Sequence, residues 1–71
     1  GSSNISNLGD IVITQQTGIF TAEEIFSRYG DVSITGPEIT GVDNKTNVTG
    51  EDISLTATTG SITGLDVEER S

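Results

Sequence analysis

Apolar and polar residues alternate in one five-residue segment that occurs three times along the chain. Asp-Ile-Val-Ile-Thr at 10–14 returns as Asp-Val-Ser-Ile-Thr at 31–35 and as Asp-Ile-Ser-Leu-Thr at 52–56, with a spacing of 21 residues both times. A period of two predicts a β-strand with one buried face. The fixed spacing predicts that each copy returns to the same place in a repeating structure.

In-register stacking of the three copies would place similar residues above one another. The two inward columns would be Ile11, Val32 and Ile53, and Ile13, Ile34 and Leu55. The two outward columns would be Val12, Ser33 and Ser54, and Thr14, Thr35 and Thr56. Parallel strands about 4.8 Å apart are the simplest arrangement that satisfies this pattern. The sequence therefore predicts an all-β fold, a parallel β-helix (β-solenoid) of about three 21-residue coils that begin near residues 9, 30 and 51.

The segments between the repeated strands predict the end of a preceding coil at 4–9, second strands at 39–42 and 61–65, a polar corner at 43–47 and a frayed charged end at 66–71. Residues 21–24 (Thr-Ala-Glu-Glu) have the form of a helix capping box, and Gly30 stands where a helix C-terminal glycine belongs. A short helix over 22–29 and a continued strand are both compatible with this segment.

Two other architectures fit the same strands. In a compact α+β interaction domain, residues 21–29 would form a helix that packs on an antiparallel sheet. In a viral or phage fibre, three chains would intertwine. Antiparallel neighbours are commonly joined by Asn-Gly or Asp-Gly turns, and neither dipeptide occurs between the predicted strands. This absence favours the solenoid over hairpins.

The composition limits the chemistry that the chain can perform. The 71 residues contain no cysteine and no histidine, which excludes disulfides and the usual zinc and copper ligands, and we expect no cofactor. The net charge of −8 disfavours nucleic acid as a partner, and no apolar run is long enough for membrane insertion. Residues 1–3 (Gly-Ser-Ser) have the form of a cloning remnant, which would leave 4–71 as a single solenoid fragment of a larger protein.

The repeated segments resemble those of a known protein family. Residues 30–36 (Gly-Asp-Val-Ser-Ile-Thr-Gly), 51–57 (Glu-Asp-Ile-Ser-Leu-Thr-Ala) and 59–64 (Thr-Gly-Ser-Ile-Thr-Gly) are similar to the haemagglutinin-type repeats of filamentous-haemagglutinin-like adhesins, the bacterial exoproteins of two-partner secretion. The resemblance covers 30–65 well and 9–20 moderately, whereas 21–29 departs from it. It implies a right-handed β-helix within a rigid, non-catalytic, secreted or cell-surface shaft that serves cell adhesion and virulence.

Two sets of side chains carry candidate binding or modification chemistry. Asp10, Asp31 and Asp52 would form a column of carboxylates that could hold calcium, although the favoured interpretation is that each side chain accepts backbone N–H bonds at its corner. Asn4, Asn44 and Asn47 each begin an N-glycosylation sequon. The same three-residue pattern also arises by chance in a chain rich in Asn, Ser and Thr.

The remaining polar groups offer weaker candidates. The outward threonine column could bind ice or a carbohydrate, but exposed β-branched residues are ordinary on strands and are the favoured interpretation. Three coils offer no extended cleft in which the carboxylate pairs Glu23–Glu24 and Glu68–Glu69 could act on a substrate, so we predict no catalytic residue and no enzyme activity. We interpret the first pair as charge at a helix N-terminus and the second as a solvated tail.

The ends of a solenoid need a partner, because each coil buries its apolar face only between neighbours. Three coils would expose apolar residues and unpaired strand edges at both ends. We expect end-to-end self-association or a capping partner there, and a protein or carbohydrate ligand on the outer surface.

Overall fold

Nine β-strands and no helix make up the part of the chain described by the computed structural model, which is residues 2–71, with side chains described from residue 3 onwards. The strands are β1 (Ser2–Asn7), β2 (Ile11–Thr14), β3 (Ile19–Ser27), β4 (Val32–Gly36), β5 (Glu38–Gly41), β6 (Val48–Gly50), β7 (Ile53–Ala57), β8 (Ile62–Thr63) and β9 (Val67–Glu69). Every pairing among these strands is parallel. The expected β-solenoid is confirmed, and the α+β alternative with antiparallel hairpins is wrong. With no helix in residues 2–71, this part of the chain has no helix that could cross a membrane.

The strands wind through three coils between two sheets. Coil 1 (residues 10–30) contains β2 and β3, coil 2 (31–51) contains β4, β5 and β6, and coil 3 (52–71) contains β7, β8 and β9. One sheet has three strands in the order β2-β4-β7. In the six-stranded sheet, β3 pairs with β5 and β6 along one edge and with β1 along the other. Each turn therefore passes once through each sheet and advances by one strand.

The three-stranded sheet has the register that the repeat predicts. Its inward pairs are Ile11 with Val32, Val32 with Ile53, Ile13 with Ile34, and Ile34 with Leu55. Its outward pairs are Val12 with Ser33, Ser33 with Ser54, Thr14 with Thr35, and Thr35 with Thr56. A shift of one residue would turn every buried side chain outward, so the apolar pattern itself holds this register.

The core lies between the two sheets and is formed by coils 1 and 2. Its buried residues are Ile11, Phe20, Ala22, Ile25, Val32, Ile34, Ile39 and Val48. Coils 1 and 2 contribute four of these eight residues each, whereas coil 3, which packs on a neighbour on one side only within residues 2–71, contributes none. The inward residues of coil 3, Ile53 and Leu55, remain half-buried.

Residues 22–29 form no helix, because most of them belong to β3. Phe20 and Ala22 are buried with a period of two, and the alternation restarts one residue out of step at Ile25. The pairing with β1 skips Glu23 at this point, which is a β-bulge. The bulge makes the apolar spacing resemble that of a helix, but β3 is paired along both edges and the sheet satisfies its backbone groups. The helix alternative is therefore wrong.

The first strand lies where the last strand of a preceding coil would lie, as expected. It lies one strand beyond coil 1 in the six-stranded sheet, and Ile5 faces Ile25. Ser2 and Ser3 lie in β1, whereas Gly1 falls outside the described residues. That residues 1–3 are a cloning remnant stays a prediction.

The charged C-terminal segment is paired rather than frayed. β9 pairs with β6, and the backbone N–H groups of Arg70 and Ser71 donate to the carbonyl oxygens of Gly50 and Glu51 at 2.8 and 2.9 Å. The prediction that residues 66–71 fray is wrong, because coil 2 offers a strand edge whose hydrogen-bonding groups outweigh the cost of ordering a polar tail.

Coil 2 has the same length of 21 residues as coil 1, because two shorter connections between its strands offset one longer connection. Ile39 follows Thr35 by four residues, whereas Phe20 follows Thr14 by six. The loop between β5 and β6 (42–47, the middle loop) is four residues longer than the equivalent connection in coil 1, and the corner that leads to coil 3 is two residues shorter. Coils 1 and 2 therefore differ at three connections: coil 1 has two more residues after its first strand and two more at its last corner, and coil 2 has four more in the middle loop.

Candidate functional site

The aspartate column lies at the corner before each strand of the three-stranded sheet. Asp10 Oδ1 accepts the backbone N–H of Asp31 at 2.9 Å, and Asp31 Oδ1 accepts that of Asp52 at 3.3 Å. The predicted acceptor role is confirmed for these two carboxylates. Residues 2–71 contain no group of three or more Asp, Glu, His or Cys side chains placed to hold a metal ion. The column thus joins successive coils through backbone bonds, each of which occupies one carboxylate oxygen.

The outward face of the three-stranded sheet carries the threonine column beside a second, less regular column. Thr14, Thr35 and Thr56 are in register, as predicted. The neighbouring column begins with Val12, whose side chain is 76 % exposed, and continues with two serines. An apolar group therefore interrupts the hydroxyl pattern, and the face offers no regular two-column grid.

Asn47 is a buried cross-link between all three coils. Its side chain is fully buried, and its Nδ2 donates to the carbonyl oxygens of Ala22 and Glu23 in coil 1 and of Val42 in its own coil, at 3.1–3.2 Å. Its Oδ1 accepts the backbone N–H of Asp66 in coil 3 at 2.9 Å. A glycan could not be attached to this nitrogen in the folded chain. The sequon that begins at Asn47 thus contains a structural amide.

The other two sequons lie on the surface. Asn4 is exposed in β1, and Asn44 is exposed at the tip of the middle loop, where its φ of 67° is in the left-handed region that asparagine tolerates. Lys45 in the same loop forms an ion pair with Glu23 of β3 at 3.6 Å. The loop borders a polar groove of about 330 Å³ that also contacts Leu65 and Asp66.

The corner of coil 1 contains a protruding pair that the sequence did not indicate. Arg28 and Tyr29 form a two-residue excess over the equivalent corner of coil 2, and both side chains are exposed. The Arg28 guanidinium lies 5.3 Å from the centre of the Tyr29 ring. The pattern of residues 22–29 is compatible with a short helix and with a continued strand, and neither predicts a protruding pair at Arg28–Tyr29, called here the corner bulge.

Arg70 reaches from coil 3 to the corner bulge. Its Nη2 donates to the carbonyl oxygen of Ser27 at 2.6 Å and to that of Arg28, and its Nε contacts a carboxylate oxygen of Glu51 at 3.4 Å. The guanidinium also lies 5.8 Å from the ring centre of Phe26. Arg70 therefore donates hydrogen bonds to two carbonyl groups of coil 1, at a corner where coil 2 has two fewer residues than coil 1. This role of Arg70 could not be predicted from the sequence, because residues 66–71 were expected to fray.

The end of coil 3 satisfies two polar groups of its strand edge with side chains. In coils 1 and 2, the N–H groups of Ile11 and Val32 donate to the carbonyl oxygen of the aspartate one coil later, both at 2.9 Å. In coil 3 the equivalent N–H, of Ile53, donates to Glu69 Oε1 at 3.3 Å. The Ser71 hydroxyl donates to Asp52 Oδ1 at 2.6 Å, in the place where a further coil would supply an N–H.

The opposite end has an apolar step. β1 extends the six-stranded sheet one strand beyond β2, whose outer edge pairs with no strand among residues 2–71. Ile5 and Ile13 are half-buried there, and Leu8 is 66 % exposed. A groove of about 380 Å³ borders β1 and includes Ile5 and Phe26.

The acidic pairs lie in strands rather than in a helix and a tail. Glu23 and Glu24 belong to β3, where Glu23 forms an ion pair with Lys45. Glu68 and Glu69 are the last two residues of β9. The interpretation of Glu23–Glu24 as a helix N-terminal pair is wrong, because β3 is paired along both edges. The interpretation of Glu68–Glu69 as a solvated tail is wrong in part, since both pair with β6 although they remain exposed.

No family model, curated protein or solved structure matches the chain in the three comparisons. The arrangement of the molecule must therefore indicate what it can do. It has three distinctive features. Columns of similar residues stack in the three-stranded sheet, and polar side chains stabilise two places where one coil has extra residues, the middle loop and the corner bulge. The two ends of the solenoid also differ in structure.

Proposed function

We propose that this chain is a structural segment of a secreted or surface-exposed bacterial adhesin, in which it serves as a rigid, elongated, non-catalytic scaffold. One observation carries the proposal, namely the in-register stacking of parallel strands with a period of about 21 residues. In such a stack, each added coil buries its inward residues on the previous one, so length can grow without a change of architecture. The family resemblance of residues 30–36 and 51–64 supports the assignment to an adhesin shaft and implies right-handed winding.

The surface supports an exposed, solvated role. The chain has a net charge of −8, and the outward columns of the three-stranded sheet are mostly Thr and Ser. The core closes within one chain, because the eight buried apolar residues contact one another in a single cluster. This closure favours a single-chain shaft over a fibre in which three chains share one core.

Insertion of extra coils tests the scaffold. A second copy of residues 10–30, placed between Gly30 and Asp31, keeps every present interface and adds one new contact of coil 1 on itself. One, two and three inserted copies should each lengthen the particle along the solenoid axis by about 4.8 Å in small-angle X-ray scattering. They should also raise the unfolding temperature or leave it unchanged, since each new interface stacks the inward residues of one copy of coil 1 on the same residues of the next.

The matched control inserts the same 21 residues in scrambled order. A scrambled segment should form a loop, which broadens the scattering profile and lowers the unfolding temperature. If the ordered and scrambled insertions behaved alike, the chain would be a closed domain and not a segment of a growing scaffold. The adhesin assignment is tested separately: antibodies against the chain should label intact, unpermeabilised cells of the source organism, and labelling only after permeabilisation would contradict it.

A further inference from the structure

We propose that the outer edge of β2 binds one further parallel strand with the pattern Asp-apolar-Ser-apolar-Thr, whereas side chains of coil 3 hinder the same addition at β7. The inference rests on the proposed scaffold function and adds a direction to it. Strand addition would take place at the N-terminal end of the solenoid, and the C-terminal end would be protected.

The N-terminal end has room for one strand. β1 occupies the six-stranded sheet one level beyond coil 1, but the three-stranded sheet has no described strand at that level. The vacant place is bounded by the edge of β2 and by the half-buried side chains of Ile5 and Ile13. A strand seated there would complete the coil whose end is β1.

The hydrogen-bonding direction of β2 leaves donors available on this edge. The N–H groups of Ile11 and Gln15 point toward β4, where they donate to Asp31 and Thr35 at 2.9 and 2.8 Å. Because successive residues of a strand alternate in direction, the backbone groups of Val12 and Thr14 point toward the vacant place.

The aspartate column specifies the chemistry of the occupant. Within the chain, each coil's aspartate carboxylate accepts the N–H of the aspartate in the next coil. The N–H of Asp10 would accordingly bind the carboxylate of an aspartate at the first position of the added strand. Apolar side chains at the second and fourth positions would cover Ile11 and Ile13, as Val32 and Ile34 cover them from the other side. The occupant is thus a strand of the chain's own repeat type.

The C-terminal edge differs because two of its groups are already satisfied. Glu69 Oε1 occupies the N–H of Ile53, and the Ser71 hydroxyl occupies Asp52 Oδ1. Arg70 holds this segment in place through its bonds to Ser27 and Glu51. A strand added to β7 would have to displace these side chains, whereas a strand added to β2 would displace water.

A complete second copy does not fit the vacant place. Coil 3 ends both sheets at the same level, with β7 in one and β8 and β9 in the other. If β8 and β9 of a second copy paired with β1, a gap of one strand would remain between its β7 and β2. The proposed occupant is therefore a single strand.

Nuclear magnetic resonance titration of the isotope-labelled full chain tests the inference. The probe is a synthetic peptide of residues 30–36 with blocked termini, and the control peptide carries Val32→Asp and Ile34→Asp. We expect saturable binding of one peptide per chain, with shifts confined to residues 5–15, and no saturable shifts with the control. Absence of saturation by the repeat peptide, or shifts centred on β7, would overturn the proposal.

Two variants locate the site. Val12→Pro removes an outward N–H without removing a bond to β4, so the fold should persist by circular dichroism while peptide binding is lost. Combined Glu69→Ala and Ser71→Ala substitutions should expose a second site at β7 and raise the stoichiometry from one to two. Unchanged binding by the proline variant would contradict the β2 site, and an unchanged stoichiometry in the double variant would contradict the protection of β7.

The outcomes separate this inference from the proposed function. If coil insertion lengthens the particle but the peptide does not bind, the scaffold stands and the strand-addition site is wrong. If coil insertion fails, the scaffold is wrong whatever the peptide does. Dimerisation of the chain that Val12→Pro abolishes, in sedimentation without peptide, would identify a second copy as the occupant and overturn the single-strand proposal.

Discussion

Replacement of Asn47 by alanine should remove a large part of the stability of the solenoid. The fully buried side chain accepts one backbone N–H, from Asp66, and its two N–H hydrogens are shared among three carbonyl oxygens. Alanine can replace none of these bonds. The variant would leave polar backbone groups of coils 1, 2 and 3 without their present partner at one place in the interior.

The magnitude follows from the number of bonds. An intramolecular hydrogen bond contributes about 1 kcal/mol net, and a buried polar group left without a partner costs about 1–3 kcal/mol. Loss of one accepted and two donated bonds, with partial rescue by water, therefore costs about 3–5 kcal/mol. A chain of this length is expected to have a total free energy of unfolding of roughly 4–10 kcal/mol. Asn47→Ala should thus remove about a third or more of the total free energy of unfolding.

Urea denaturation followed by circular dichroism measures the effect. With a slope of about 1 kcal/mol per molar urea, the midpoint should fall by roughly 3 M or more. Asn44→Gly is the matched control, because Asn44 lies in the same loop but is exposed at a φ of 67°, which glycine adopts freely. The control should keep the midpoint within about 0.5 M of the parent protein.

A third variant separates the donor role from the volume of the side chain. Asn47→Asp keeps the size and one acceptor but replaces the donor with a carboxylate oxygen that faces the carbonyls of Ala22, Glu23 and Val42. It should be at least as destabilised as Asn47→Ala at neutral pH. If Asn47→Ala lost less than about 1 kcal/mol, or if the aspartate variant were as stable as the parent, the cross-linking role of Asn47 would be refuted.

Three further substitutions test other parts of the architecture. Asp31→Asn keeps the acceptor for the N–H of Asp52 and removes a like charge from the column, so it should raise the free energy of unfolding at low salt by up to about 1 kcal/mol, and the gain should shrink in 1 M salt; a lower free energy of unfolding would contradict this account. Gly41→Ala should cost about 2–4 kcal/mol by chemical denaturation, because a Cβ there would lie 2.7 Å from the Gly64 carbonyl oxygen and closer still to Asn47, and a loss under 1 kcal/mol would show that the contact relaxes. Arg70→Lys should lose about 1–2 kcal/mol, since one ammonium group cannot reach the corner carbonyls and the Glu51 carboxylate together, as Nη2 and Nε of arginine do, and stability equal to that of the parent would show that charge alone suffices.

The three-stranded sheet could be predicted from the sequence almost completely. Its strands, its inward columns and its register all follow from alternation within five residues and a spacing of 21. The acceptor role of Asp10 and Asp31 could be predicted as well, since an aspartate at a corner has backbone N–H groups within reach. In these cases a local pattern determines the structure, because the same environment recurs in every coil.

The six-stranded sheet was harder to predict because its segments differ from coil to coil. The bulge at Glu23 put Ile25 one residue out of step and imitated helical periodicity. The roles of Asn47 and Arg70 could not be inferred at all. Each side chain binds backbone carbonyl groups that come within its reach only because coils 1 and 2 have extra residues at different connections. Such groups become visible only when the coils are stacked.

These two side chains also change how the solenoid should unfold. In a repeat protein whose coils contact only their neighbours, the end coils fray before the centre. Here Arg70 joins coil 3 directly to Ser27 in coil 1, and Asn47 joins the middle coil to both neighbours through one amide. Contacts that span coils 1 to 3 should make the three coils open together.

Native-state hydrogen exchange measures this coupling. Amides of Val32 in coil 2 and Ile11 in coil 1 should exchange with nearly the same opening free energy as the N–H of Asp66 in coil 3, because global unfolding exposes all three. In Arg70→Ala, which removes the bond between coils 3 and 1, the Asp66 amide should become less protected than the other two by about 1 kcal/mol or more. If coil 3 already exchanged faster in the parent protein, the coils would act as independent neighbours. Arg70 would then stabilise only its own corner, and the cross-coil coupling inferred from the structure would be wrong.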